Sequence, residues 1–164
     1  MKTSKIGIDL IKSFESLHDG DLTLIGLQPK MDPIGIWTEG YGRAMRDSKG
    51  NFIKGISNKK LAYSLQTVKN EKDAEKALIE DLNSFERIVI QKVKVDLNQN
   101  QFDALVSYTY NTGGSDTLFN LINRKSDPAT IGNWFITKYI SAGGKVLPGL
   151  IRRRKAERDL YFLK

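Results

Sequence analysis

The spacing of apolar residues separates a helical N-terminus from a region of short extended runs. Apolar side chains recur every three or four positions at the start of the chain: Ile6, Leu10, Phe14 and Leu17. That spacing predicts an amphipathic helix over residues 4–17. Residues 18–58 contain glycines, prolines and short runs of strand formers, which predict a small sheet with tight turns. The runs are Leu22–Leu27, Ile34–Tyr41 and Asn51–Ile56, and the turns are 32–35 and 47–51.

The pattern becomes helical again from Asn70 onward. Asn70 can cap a helix, with Asp73 three residues later. An apolar stripe then continues for about 20 residues at helical spacing: Ala74, Leu78, Leu82, Phe85, Val89 and Val93. Further helices are predicted over 99–110, 116–123, 128–140 and about 149–162, with glycine pairs at 113–114 and 143–144 in the connections.

This order of elements predicts an α+β protein in which residues 1–164 form one domain. A small β-containing lobe is expected over about 13–66. A mainly helical lobe is expected over about 67–164 together with the N-terminal helix. The cleft between two such lobes is the expected place for a functional site.

Composition excludes several kinds of chemistry. The chain has no cysteine, so disulfides, thiolate nucleophiles, Cys-based zinc sites and iron–sulfur clusters are ruled out. Its only histidine is His18, so a three-histidine zinc site cannot form and a Ser-His-Asp triad would have to include that one residue. We therefore expect acid–base chemistry to be carried by carboxylates, with no metal and no cofactor.

The positive charge is concentrated at the C-terminus. The net charge is +7, of which residues 1–144 contribute +2 (19 basic against 17 acidic) and residues 145–164 contribute +5 (7 against 2). Such a cluster attracts polyanions, or it is simply the solvated face of a helix. No segment has the run of about 18–20 apolar residues that spans a bilayer, and the first residues do not resemble a signal peptide. Accumulation in the cytoplasm is expected.

Two places in the N-terminal third carry candidate catalytic groups. Glu15 lies at the margin of the apolar stripe of the first predicted helix, where desolvation would suit a general acid. Asp32 begins an Asp-Pro turn that leads to Trp37, Thr38 and two closely spaced glycines. Such a hairpin can hold a carboxylate and a hydroxyl in fixed relation around one water molecule, or the aspartate can merely cap its own turn.

These residues resemble the pattern of the phage-type lysozymes, the endolysins of glycoside hydrolase family 24. That family has a helix-borne Glu, then an Asp, then a Thr six positions later in a Trp-Thr-x-Gly-Tyr-Gly-like hairpin, and Asp32 and Thr38 have this spacing. Two further blocks match in order, at 97–113 and 142–157. The resemblance implies a lysozyme-like fold and hydrolysis of the β-1,4 bond between N-acetylmuramic acid and N-acetylglucosamine in peptidoglycan.

The chain departs from the family pattern in two respects. Glu15 and Asp32 are 17 positions apart where the family usually has about nine, which indicates an insertion within Asp19–Gln28. Asp19 and Asp21 therefore stay open as alternatives for the second carboxylate. Arg43 also stands where the family usually has a histidine, so an ion pair built on that histidine is either absent or remade with a guanidinium.

The resemblance assigns roles to six residues. Glu15 would protonate the leaving oxygen, while Asp32 and Thr38 would hold the attacking water. Tyr110, Asn111 and Arg152 would bind the substrate, and one of the arginines 152–154 would approach Glu15. A monomer is expected to act on glycan strands, not on nucleic acid, after a membrane-permeabilising partner such as a holin releases it from the host cytoplasm. The alternatives are a lytic transglycosylase on the same bond and a non-catalytic basic protein that binds the wall or nucleic acid.

Overall fold

The computed structural model describes all of residues 1–164, which form two compact units. One unit consists of residues 15–81. The other consists of residues 1–14 and 82–164. About half of the chain is helical and the strands are short and antiparallel, so the α+β class is confirmed.

A three-stranded antiparallel sheet organises the 15–81 unit. Its strands are β1 (Lys30–Met31), β2 (Trp37–Glu39) and β3 (Arg43–Ala44), in the order β1-β2-β3. Lys30 pairs with Thr38, and Thr38 also pairs with Ala44, so β2 is the central strand. A 3-10 turn at Ile56–Asn58 and helix α2 (Lys59–Leu65) follow. A small apolar core joins sheet and helix: Trp37, Met45, Ile53 and Ala62, with Tyr63 against them.

Two predictions for this unit are wrong. Leu22–Leu27 is not a strand but a loop of turns in which Leu22 and Ile25 are almost fully exposed. Its ends are joined by the bond from Gly20 N to Gln28 O (3.0 Å), so the segment closes on itself and has no neighbouring strand to pair with. The run Asn51–Ile56 makes only two isolated bridges, Ile36 with Lys54 and Arg46 with Phe52.

The remaining helices follow the sequence pattern closely. They are α3 (Glu71–Lys92), α4 (Gln99–Thr112), α5 (Asp116–Asn123), α6 (Pro128–Thr137) and α7 (Pro148–Tyr161). Asn70 caps α3 through its contact with Asp73 N (2.9 Å), as predicted. Gly113 ends α4 with a φ of 80°, a left-handed conformation that glycine adopts without strain. The glycine pair 143–144 forms the turn of a hairpin between β4 (Ser141–Ala142) and β5 (Lys145–Val146), where the sequence pattern predicts a loop.

Helix α4 is the centre of the unit formed by 1–14 and 82–164. Residues 102–109 of α4 are all buried, and α1 (Lys5–Phe14) and α7 pack against it. None of the helices combines the length and the apolar character needed to cross a bilayer.

The first helix is shorter than predicted and presents a different face. It ends at Phe14, so Glu15 follows it instead of lying within it. Its buried residues are Gly7 and Ile11, whereas Ile6 is 55% exposed. The reason is that α1 approaches α4 too closely for a side chain at its nearest point. A Cβ built on Gly7 would lie 2.8 Å from Asp103 Cγ and 2.6 Å from Thr3 Cγ2.

Substituting Gly7 tests this close approach. We expect Gly7→Ala to lower the free energy of unfolding by about 1–3 kcal/mol, because overpacking exceeds the helix-propensity gain of alanine. Gly149→Ala is the matched control, since the nearest atom to its added Cβ lies 3.9 Å away and the position is helical. Urea unfolding of both variants gives the measurement. Equal stability of Gly7→Ala and the wild type would contradict the packing described.

Candidate functional site

Asp32 is held in a turn between β1 and β2 by one of its two carboxylate oxygens. Oδ1 accepts hydrogen bonds from Ile34 N (3.0 Å) and Ile36 N (2.8 Å). Gly35 N donates to the Asp32 carbonyl (3.0 Å), and Gly35 takes the left-handed φ of 84° that this turn requires. Oδ2 accepts no hydrogen bond from the protein. The carboxylate therefore caps its own turn with one oxygen and leaves the other available.

Thr38 lies in the middle of β2 with only 5% of its surface exposed. Its Oγ1 donates to the Lys30 carbonyl on the neighbouring strand at 2.9 Å. The same oxygen lies 2.7 Å from His18 Nδ1. The strand backbone and these two partners fix the hydroxyl in one position.

His18 stands among the predicted catalytic residues. Burial and the Lys30 ammonium lower the pKa of its imidazole below 6.5, while the carboxylates of Glu15 and Asp32 act in the opposite direction. All five side chains, including Thr38, belong to the 15–81 unit. Sequence reasoning considered His18 only as a limit on triads and metal sites. The signal that could have found it is its position three residues after Glu15 as the only histidine of the chain.

A groove of about 530 Å³ opens beside these residues. It is lined by Ser16, Leu17, His18, Asp19, Leu22, Lys30, Met31, Asp32 and Pro33. The two alternative carboxylates, those of Asp19 and Asp21, form hydrogen bonds within the loop 19–28. Asp19 Oδ1 accepts from Asp21 N (3.2 Å) and Gln28 N (3.3 Å), although Asp19 also lines the groove. Asp21 accepts from the Thr23 hydroxyl (2.6 Å) and amide, and these bonds lower the pKa of Asp21.

Arg43 forms an ion-pair cluster with the middle of α3. Its Nε donates to Asp81 Oδ2 (2.9 Å), and its Nη2 donates to the Ala77 carbonyl (2.5 Å) and to Glu80 Oε2 (3.2 Å). The ion pair at this position is therefore present and is made by a guanidinium in place of a histidine. The Arg43 guanidinium keeps its charge at all physiological pH values.

Tyr110 and Asn111 lie in the last turn of α4, in the other unit. The Tyr110 ring packs edge-on against Phe85, with ring centroids 5.1 Å apart. Asn111 Oδ1 accepts a hydrogen bond from Arg154 Nη2 at 2.8 Å. Among the three arginines 152–154, it is Arg154 that contacts Asn111, whereas Arg152 is exposed.

Arg154 is fixed by a buried charge cluster on α7. Its Nη2 also lies 3.1 Å from Glu157 Oε1, which accepts from the Ser107 hydroxyl (2.8 Å) and from Arg153 Nε (3.2 Å). Burial lowers the pKa of the Arg154 guanidinium, and the Glu157 carboxylate opposes that effect. No group of three or more His, Cys, Asp or Glu side chains is arranged to hold a metal ion.

Comparison with known proteins gives a consistent result. The family model described as phage lysozyme matches residues 24–157. The endolysin of Bacillus phage B103 is 35% identical over 99% of this chain and 54% of its own length, so the chain spans about half of that relative. The endolysin of Salmonella phage P22 is 32% identical over 83% of this chain and 86% of its own. The muramidase domain of SpmX from Asticaccaulis excentricus has a TM-score of 0.72 at 28% identity, covering 99% of each chain.

The environment of His18 predicts a specific pH dependence of stability. Because the folded state holds the imidazole proton less tightly than the unfolded chain does, protonation of His18 favours unfolding. We expect wild type to lose stability, relative to His18→Asn, as the pH falls below 6.5. Urea unfolding at about pH 8 and about pH 5 measures this difference. A difference between the two proteins that does not change with pH would contradict the prediction.

Proposed function

The chain belongs to the phage lysozyme family, and we propose that it is an endolysin that hydrolyses the β-1,4 bond between N-acetylmuramic acid and N-acetylglucosamine in peptidoglycan. The observation that carries this proposal is the arrangement around His18. Its ring contacts Thr38 and is acted on by the charges of both Glu15 and Asp32. Two carboxylates and a fixed hydroxyl are what glycoside hydrolysis with a held water requires.

Glu15 is proposed as the general acid. It would donate its proton to the leaving glycosidic oxygen as the bond breaks and the sugar takes on oxocarbenium-like charge. It is the first residue after α1 and is only partly exposed. A carboxyl group at the end of a packed helix is held in place more firmly than one on a mobile loop.

Asp32 and Thr38 are proposed to hold the attacking water. Oδ1 of Asp32 is engaged by the turn, so Oδ2 is the oxygen that would accept a proton from water and face the developing positive charge. A water held on these two residues favours inversion at the anomeric carbon. Inverting enzymes have their carboxyl groups about 6.5–9.5 Å apart, whereas a separation of about 5 Å favours the covalent, retaining route.

Tyr110 and Asn111 are proposed to bind sugar. Because Asn111 Oδ1 accepts from Arg154, the amide nitrogen of Asn111 keeps its two N–H groups for a partner such as an acetamido carbonyl. Arg152 is exposed, and its charge suits an anionic group of the wall polymer. Under this proposal the protein works as a monomer on glycan strands. A holin or an equivalent partner would give it access to the wall from the host cytoplasm.

Mass spectrometry of muropeptides released from purified peptidoglycan tests the proposed reaction. Wild type is expected to release products with hydrated reducing ends. Glu15→Gln and Asp32→Asn should each lower the rate by at least about 100-fold, because each removes a group that acts on the reacting atoms. Asp9→Asn is the control, since Asp9 is an exposed carboxylate of α1 that pairs only with Lys5 (2.7 Å).

Three results would contradict the proposal in different ways. Anhydro products would identify a lytic transglycosylase, and the role of Asp32 would then be limited to stabilising its own turn. Full activity of Glu15→Gln would remove the proposed acid. No product from folded wild type would leave a protein that binds the wall without cleaving it.

A further inference from the structure

The hydrogen bonds of Thr38 leave only one assignment of its proton. A threonine hydroxyl has a single proton to donate and can accept from others. Thr38 Oγ1 lies 2.9 Å from the Lys30 carbonyl oxygen, which can only accept, and 2.7 Å from His18 Nδ1. If the hydroxyl proton lies toward the carbonyl, then the bond to His18 requires the proton on Nδ1. Both contacts are satisfied together only in this arrangement.

We propose that His18 is a positioning residue that donates its Nδ1 proton to Thr38 and thereby makes Thr38 purely an acceptor toward the attacking water. This inference rests on the proposed glycosidase reaction and adds a residue to it. With its proton committed to Lys30 and one lone pair committed to His18, Oγ1 has one lone pair left. Thr38 can therefore receive a proton from water but cannot give one.

The consequence for the water is a defined orientation. Asp32 Oδ2 is also only an acceptor while the carboxylate is ionised. A water between these two groups directs both of its protons to the protein. Its oxygen lone pairs then face away from both acceptors, toward the substrate. A Thr38 hydroxyl that donated to water would instead occupy one of those lone pairs and weaken the nucleophile.

The charged groups around His18 are consistent with this role. Burial and then Lys30 on β1 disfavour the imidazolium, whereas Glu15 and Asp32 favour it, and the net effect is a lowered pKa of the His18 imidazole. The ring is therefore neutral at neutral pH, when only one nitrogen carries a proton. The backbone of His18 is held as well, since His18 N donates to the Gly40 carbonyl at 2.8 Å.

The position of the proton can be read directly from the wild-type protein by NMR. Because His18 is the only histidine, its imidazole gives a single pair of nitrogen-15 resonances. At about pH 8 the ring is neutral, and a two-bond proton–nitrogen correlation spectrum distinguishes the protonated from the bare nitrogen. We expect Nδ1 to be protonated and Nε2 to be bare. The opposite tautomer would mean that Thr38 donates to His18, which would overturn the proposal.

Two substitutions of similar size separate positioning from simple packing. The amide nitrogen of His18→Asn reaches the position of Nδ1 and can still donate to Thr38, whereas the amide of His18→Gln reaches the position of Nε2. We expect His18→Asn to keep kcat within about threefold, and His18→Gln to lower kcat by about 10- to 100-fold with KM unchanged. In a Thr38→Val background the two His18 variants should have equal kcat, because the shared partner has gone. Equal losses in both variants with Thr38 present would assign His18 to packing.

The NMR spectrum and the kinetics of the His18 variants together separate this inference from the proposed function. A wild type without hydrolase activity would overturn the proposed function and the role of His18 with it. An active wild type with the Nε2–H tautomer, or with full activity of His18→Gln, would overturn the role of His18 alone.

Discussion

Strand β2 imposes the constraint on which the 15–81 unit depends. It is only three residues long, yet all three side chains are buried, although a strand directs successive side chains to opposite faces. On one face, Trp37 Nε1 donates to the Gly55 carbonyl (2.8 Å), and Glu39 accepts from the amides of Thr67 (2.9 Å) and Val68 (3.1 Å). Thr38 alone projects to the other face. A shift of one residue in register would exchange these faces and remove the hydroxyl from His18.

The sequence predicted the elements whose signals are local. The predicted cap at Asn70 and the predicted helix over 116–123 agree with the structure. A helix cap and an apolar period both depend only on residues a few positions apart in the sequence. The turn at Asp32 was predicted for the same reason. The predictions failed where the position or role of a residue depends on a partner that is distant in the sequence. The buried face of α1 is set by its contact with α4 at Gly7. The proposed role of His18 depends on its contact with Thr38, which lies twenty positions away in the sequence.

The net charge of the C-terminal segment is a poor guide to which of its basic residues lie on the surface. The C-terminal segment 145–164 has an excess of five positive charges, which predicts a surface patch for polyanions. Arg153 and Arg154 are instead buried around Glu157, because the last helix brings a carboxylate one turn after them. Lys155 and Arg158 both pair with Asp159. Four of the seven basic residues of this segment are therefore paired within α7, and a count of charges could not separate buried ion pairs from solvated ones.

The loop between Asp19 and Gln28 shows how the chain can carry a longer connection without disturbing its chemistry. Its two ends meet so closely at Gly20 that an added Cβ would lie 2.0 Å from the Pro29 carbonyl oxygen. For a loop closed in this way, each doubling of length costs only about 0.6 kcal/mol of closure entropy. His18 and Asp32 lie just outside this closure and do not depend on the number of residues within it. The number of residues between the two proposed catalytic carboxylates is therefore a property of this loop, and their separation in space is set by the elements on either side of it.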